Sequence, residues 1–157
     1  MAEIETFLAD VQKHMPSLQI THEPDALRDY TIDGILPRLV VTPDNKEQVA
    51  QITALVSQHG LTLLARGGGS RMNLGGIPEQ VDVVLETQHM MRLLEYEAPD
   101  LTCHVEAGIT FAALQAQLAS KGQWVALDPP DSEQATLGGI LASNASGPIR
   151  PSASAAF

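Results

Sequence analysis

Apolar residues recur at helical spacing from the start of the chain. Ile4, Phe7, Leu8, Val11 and Met15 predict an amphipathic helix over 2–14, stopped by Pro16. Residues 18–35 lose that rhythm, with Pro24 and Gly34 as breakers. They read as a loop with a short helical turn over 25–30 and an extended lead-in over 30–34. Leu39-Val40-Val41-Thr42, between Pro37 and Pro43, predicts a short strand. Helical spacing returns in Val49, Ile52, Leu55 and Val56, with Asp44 or Asn45 as N-cap and Gly60 as the stop. Leu61 to Ala65 and Val81 to Leu85 are two further apolar runs. The strand–helix–strand order implies parallel strands joined by a right-handed crossover. Residues 86–94 read as a polar, Met-rich connection. Residues 93–97 and 101–107 then alternate in polarity about Pro99-Asp100, which predicts an antiparallel hairpin. A helix follows over 111–121, capped by Thr110, lined by Leu114 and Leu118, and ended by Gly122. Trp124 to Leu127 reads as a short strand and Asp128-Pro129-Pro130-Asp131 as a rigid turn.

The fold class is therefore α+β: a small parallel sheet, then antiparallel strands with helices. Residues 1–34 form a helix and lead-in, 35–150 a domain, and 151–157 a low-complexity tail expected to be poorly ordered.

Between the second and third apolar runs lies Arg66-Gly67-Gly68-Gly69-Ser70-Arg71-Met72-Asn73-Leu74-Gly75-Gly76, which holds five of the chain's 12 glycines. Glycine costs entropy on ordering, so this density points to a backbone task such as presenting successive amides to a phosphate. The plainer alternative is a flexible surface loop. The usual phosphate fingerprints fail here. A G-x-G-x-x-G pattern from Gly67 needs glycine at Met72, and no lysine lies between Lys46 and Lys121 to complete a Walker motif. The loop also leads into a strand rather than opening a helix. A second small-residue stretch runs from Ala135 to Pro148, where Thr136, Ser143, Asn144 and Ser146 offer hydrogen-bonding groups beside close-approach glycines.

Charge changes the picture modestly. The chain of 157 residues carries 19 acidic and 9 basic side chains, a formal net charge of −10. That argues against nucleic acid and against an anionic membrane surface. Arg66, Arg71 and Arg92 fall in or near the glycine loop, so a locally positive pocket on an acidic protein is expected. Cys103 is the only cysteine, which leaves no intrachain disulfide and reads as a small buried residue. The five histidines match no motif. Nothing resembles a signal peptide or a membrane span, so the cytoplasm is the default location, with peripheral inner-membrane association through partners.

Five motifs occur in a recognisable order: Pro37 to Pro43 before a helix; Arg66-Gly67-Gly68-Gly69-Ser70; Val105-Glu106-Ala107-Gly108; Leu127-Asp128-Pro129-Pro130; and Thr136-Leu137-Gly138-Gly139 through Asn144-Ala145-Ser146-Gly147-Pro148. Together they resemble the PCMH-type FAD-binding domain of the vanillyl-alcohol-oxidase superfamily, with FAD-linked glycolate oxidases and D-lactate dehydrogenases the most similar in pattern. The resemblance implies two α/β subdomains, the second incomplete here, with FAD as cofactor. It assigns Arg66, Gly67, Gly68, Gly69, Ser70, Asn73 and Leu74 to one side of the FAD. Gly108, Pro129, Pro130, Thr136, Gly138, Gly139, Asn144, Ser146 and Gly147 fall to the rest of the site. Ser70 stands where members with flavin covalently attached through this loop carry histidine, so non-covalent FAD is implied.

Two functions follow as expectations. The first is oxidation of a 2-hydroxy acid such as glycolate or D-lactate by hydride transfer to FAD, with partner subunits of a glycolate oxidase-type complex. The family's domain continues beyond this point into a cap, so a truncated product or fragment is expected. Its catalytic residues would lie in the missing part and none is named here; no metal site is expected. The alternative is a non-catalytic flavin- or nucleotide-binding subunit or remnant that acts through a partner.

Overall fold

In the computed structural model, which describes residues 2–148, the first apolar stripe forms helix α1 (Ala2–His14). The chain divides into two compact units. The first takes in residues up to Arg66 together with Asn73–His89; the second takes in Gly67–Met72 and the chain from Met90 onward.

The first unit is built on a four-stranded sheet of β1 (Gln19–Thr21), β2 (Leu39–Thr42), β3 (Leu63–Arg66) and β4 (Val83–Glu86), in the spatial order β1-β2-β4-β3. The predicted parallel strands are present, but β4 lies between β2 and β3 and pairs in parallel with both. All four residues of β2 and of β4 are buried, as expected of central strands covered on both faces. Leu39, Val41, Val83 and Leu85 pack with Phe7, Val11 and Met15 of α1, and with Ile52 and Val56 of α3 (Lys46–Gln58). Asn45 is the N-cap of α3, its side chain accepting from the Gln48 amide at 2.9 Å, and Gly60 has the left-handed φ of +63°.

Before β2 the structure departs from the sequence reading twice. Residues 18–35 include the edge strand β1, antiparallel to β2, which is too short to show an alternation. The helical turn is present as α2 (Pro24–Leu27) and a 3-10 turn to Tyr30. The lead-in that follows is a tight reversal rather than an extended segment. Asp33 and Gly34 both have positive φ, and Ile32 and Ile35 exchange backbone hydrogen bonds of 3.0 and 2.8 Å. Asp-Gly is the pair that favours such a turn.

The lower end of the sheet is laced by Asp82, whose side chain is 1% exposed. Its carboxylate accepts from Arg38 Nη1 (3.1 Å), the Thr62 amide (2.8 Å), Thr62 Oγ1 (2.9 Å) and Gln80 Nε2 (2.7 Å). Its carbonyl accepts from the amides of Arg38 and Leu39. One residue thus ties together the starts of β2, β3 and β4.

In the second unit, β5 (Leu93–Glu97) and β6 (Thr102–Val105) form the predicted antiparallel hairpin, with an irregularity between Leu93 and Glu95. Cys103 on β6 is half-buried rather than buried. Helix α4 (Phe111–Ala119) is capped by Thr110, which accepts from the Ala113 amide. Ile109, Leu114 and Leu118 form one core cluster, and Phe111, Ala135 and Ile140 a second.

Trp124–Leu127 is not a strand. The Gln115 side chain takes the place of a strand partner: its Nε2 donates to the Val125 carbonyl at 3.0 Å and its Oε1 accepts from the Val125 amide at 2.9 Å. Gln115→Ala strands both groups and should destabilise the protein by about 1–3 kcal/mol, read as a lowered urea midpoint. An unchanged midpoint would show that water replaces the amide without cost. The Ala135–Pro148 stretch, read only as small and polar, contains helix α5 (Leu137–Ser143). Its two glycines disguise it, because glycine lowers helix propensity. The 151–157 tail and Ile149-Arg150 lie outside the described residues.

Candidate cofactor-binding site

β3 delivers the chain into the glycine loop at Arg66. Gly69 takes a φ of +75°, which only glycine adopts readily. Among the described residues, the amides of Gly67, Gly68, Gly69 and Ser70 donate no hydrogen bond within the protein. Four successive main-chain donors are therefore available to an anion. Such a series carries partial positive charge without a formal one.

The second unit brings this loop against the other predicted segment. A Cβ on Gly67 would collide with Thr136 Oγ1, and one on Gly68 with the Gln134 carbonyl. These glycines are thus required by the fit of the loop onto 134–136, a reason distinct from ligand approach. Gln134 was absent from the sequence reading. An exposed glutamine used only through its carbonyl leaves no side-chain signal.

The backing segment is itself firmly held. Asp131, at φ +57°, presents its carbonyl to the amides of Gln134 (2.8 Å) and Ala135 (2.7 Å). Thr136, 3% exposed, caps α5 by accepting from the Gly139 amide at 3.2 Å. The Leu137 and Gly138 amides donate to the carbonyls of Ile109 and Ala107, both at 2.9 Å. The first three amides of α5 are thereby occupied by protein, so this short helix offers no open N-terminus to an anion. Gly138 and Gly139 can serve the site by small size rather than by N–H donation. A Cβ at Gly138 would lie 2.9 Å from the Ala107 carbonyl.

The other predicted residues join the same unit. The Gly108 amide donates to the Met90 carbonyl at 2.8 Å, and Gly108 is buried. Asn144 ends α5 in the left-handed region at φ +51°. The Ser146 carbonyl accepts from the Asp128 amide at 3.0 Å, and Gly147 packs against the Asp128 main chain. Pro129 is buried and Pro130 exposed. Arg66, Asn73 and Leu74 belong to the first unit, and Leu74 is 54% exposed.

Charge is distributed differently from the expected positive pocket. Arg66 Nη1 donates to Glu86 Oε1 at 3.2 Å, and the guanidinium carbon lies 4.3 Å from the centre of the Tyr30 ring. The Tyr30 hydroxyl and Gln88 Nε2 both donate to Glu86 Oε2 at 2.8 Å. Burial, and then the bond to Glu86, push the Tyr30 phenol pKa up. Arg92 is engaged by the buried Glu106, with Nη2 to Oε1 at 2.6 Å and Nε to both oxygens at 3.1 Å. These bonds outweigh burial and hold the Glu106 carboxyl below the usual range. Two of the three arginines are thus neutralised by glutamates. Among the described residues, no ion pair holds Arg71. Glu86 and Tyr30 escaped the sequence reading. The available signal was opposite charge at the ends of two apolar runs, Arg66 and Glu86, which the parallel register places side by side.

A family model described as an FAD binding domain matches residues 37–155. Glycolate oxidase subunit GlcD of Escherichia coli (strain K12) is 28% identical over 145 residues, covering 89% of this chain and 29% of that protein. D-lactate dehydrogenase of Archaeoglobus fulgidus is 33% identical over 130 residues, covering 78% of this chain and 29% of its own length. Among solved structures, an alkyldihydroxyacetonephosphate synthase superposes with a TM-score of 0.79 at 25% identity, over 94% of this chain and 32% of that one. The chain therefore spans under a third of the length of these relatives. The residues present fit the diphosphate of a dinucleotide: four unsatisfied amides in a row, on a loop with no room for side chains at its base.

Proposed function

The chain belongs to the FAD binding domain family, and from that premise we propose that it holds non-covalent FAD for the oxidation of a 2-hydroxy acid such as glycolate or D-lactate. The observation that carries the cofactor site is the run of unpaired amides from Gly67 to Ser70, seated on Gln134–Thr136. Those amides would meet the diphosphate oxygens. Arg71 would add a flexible charge, and the stretch from Thr136 to Gly147, with Pro129 and Pro130, would border the remainder of the cofactor. When bound, the flavin supplies the hydride acceptor, and the protein supplies position and exclusion of water. The substrate class is drawn from the names of the relatives, as is the expectation of partner subunits in a glycolate oxidase-type assembly. No helix among the described residues is long and apolar enough to cross a membrane.

One observation favours a second reading, in which the chain binds flavin and the reacting groups come from a partner. The single described histidine of the second unit, His104, has a side chain 82% exposed on the hairpin. Anaerobic spectroscopy separates the readings. Protein reconstituted with FAD should show bound-flavin absorbance that bleaches with glycolate or D-lactate. Bound flavin inert to every hydroxy acid would support the second reading. Failure to take up FAD would overturn both.

A further inference from the structure

We propose that Glu86 is a positioning residue for the cofactor's diphosphate: through Arg66 and Tyr30 it fixes the point where β3 becomes the glycine loop. The inference rests on the diphosphate site proposed above. Glu86 is 5% exposed, and its two oxygens accept from three side chains, Tyr30, Arg66 and Gln88. Arg66 is held on both its side chain and its main chain. Its guanidinium is fixed by Glu86 and the Tyr30 ring, and its carbonyl accepts from the Thr87 amide at 2.9 Å. Arg66 and Glu86 are the last paired residues of β3 and β4. The next residue, Gly67, begins the series of unpaired amides. A row of main-chain donors binds an anion well only when its direction is set beforehand, because ordering it on binding would cost backbone entropy. Arg66 thus serves the anion by aiming the loop, with its own charge already neutralised by Glu86.

Glu86→Gln keeps the size of the side chain but removes the charge that holds Arg66. FAD affinity should fall about tenfold, the share of one charge-assisted hydrogen bond. Arg66→Ala should weaken binding at least as much, and adding Glu86→Gln to it should cost little more. In apoprotein well below the unfolding temperature, Glu86→Gln should also speed trypsin cleavage after Arg71, a readout that needs no flavin. Tyr30→Phe keeps the ring beneath the guanidinium and removes one donor to Glu86. It should give a smaller shift in both measurements, and it carries the test if Glu86→Gln does not fold. Two outcomes overturn the proposal while leaving the diphosphate site standing. One is a lowered unfolding temperature with unchanged FAD affinity and unchanged cleavage. The other is tighter, more salt-sensitive binding in Glu86→Gln, which would mean that a released Arg66 contacts phosphate directly. A wild-type protein that takes up no FAD overturns the diphosphate site itself, and the inference with it.

Discussion

Gly68→Ala should reduce FAD affinity by on the order of 100-fold, whereas Gly76→Ala should leave it unchanged. The two glycines lie in one loop and differ in what surrounds them. A methyl group at Gly68 would be driven into the Gln134 carbonyl, which belongs to a main chain pinned by Asp131 and by the cap of α5. Neither side can yield cheaply, so the loop must move. A displacement of about 1 Å is enough to misdirect donors whose geometry sets affinity. At Gly76 a Cβ meets nothing within 4 Å. Because the collision at Gly68 is with protein, the variant should also lower the unfolding temperature of the apoprotein, which mere obstruction of a ligand would not do. Titration of FAD followed by fluorescence quenching, with thermal melts of the apoproteins, checks both parts. Equal affinities for Gly68→Ala and wild type would remove this loop from the site.

Asp82→Ala should destabilise the protein by about 3 kcal/mol at neutral pH, because removing one partner of a buried, hydrogen-bonded charge leaves the others unsatisfied. The substitution strands the Thr62 amide and hydroxyl, Gln80 and the partly exposed Arg38 together. The pH dependence has a definite sign. Burial alone would raise the Asp82 pKa, but the bonds from Thr62, Gln80 and Arg38 outweigh it and hold the carboxyl below its ordinary value. A lowered native pKa means that the unfolded chain binds more protons. The contribution is therefore complete above the unfolded pKa of about 3.9 and is lost as pH falls through the native value. Urea unfolding of both proteins should show a gap that is constant from pH 5 to 7 and narrows below about pH 4. A gap that widened in acid would contradict this account of Asp82.

Much of this was legible in the sequence because it follows from local rules. Val49, Ile52 and Val56 announce α3 by spacing, and Asn45 and Gly60 bracket it by cap chemistry. The paired loops were visible as clusters of glycine. What was hidden depends on partners distant in sequence. Trp124–Leu127 has the composition of a strand, yet its hydrogen bonds go to the side chain of Gln115. Gly67 and Gly68 look like ligand glycines but also answer to Thr136 and Gln134. Arg66 counts as a free cation in a composition table and is a bound one beside Glu86. Sequence spacing shows which groups exist; only packing shows which are already spoken for.

The strand order of the first unit bears on how the protein acquires its fold. Because β4 lies between β2 and β3, those two strands share no ladder until the chain beyond the glycine loop has joined them. During synthesis the central position stays vacant until segment 67–82 has emerged and closed on itself. Non-local closure of this kind slows folding, since its entropy is spent before the contacts that reward it form. The ligand loop is therefore also the closing loop of the sheet. Insertions there would slow the rate at which the domain matures as well as weaken any affinity it has once mature.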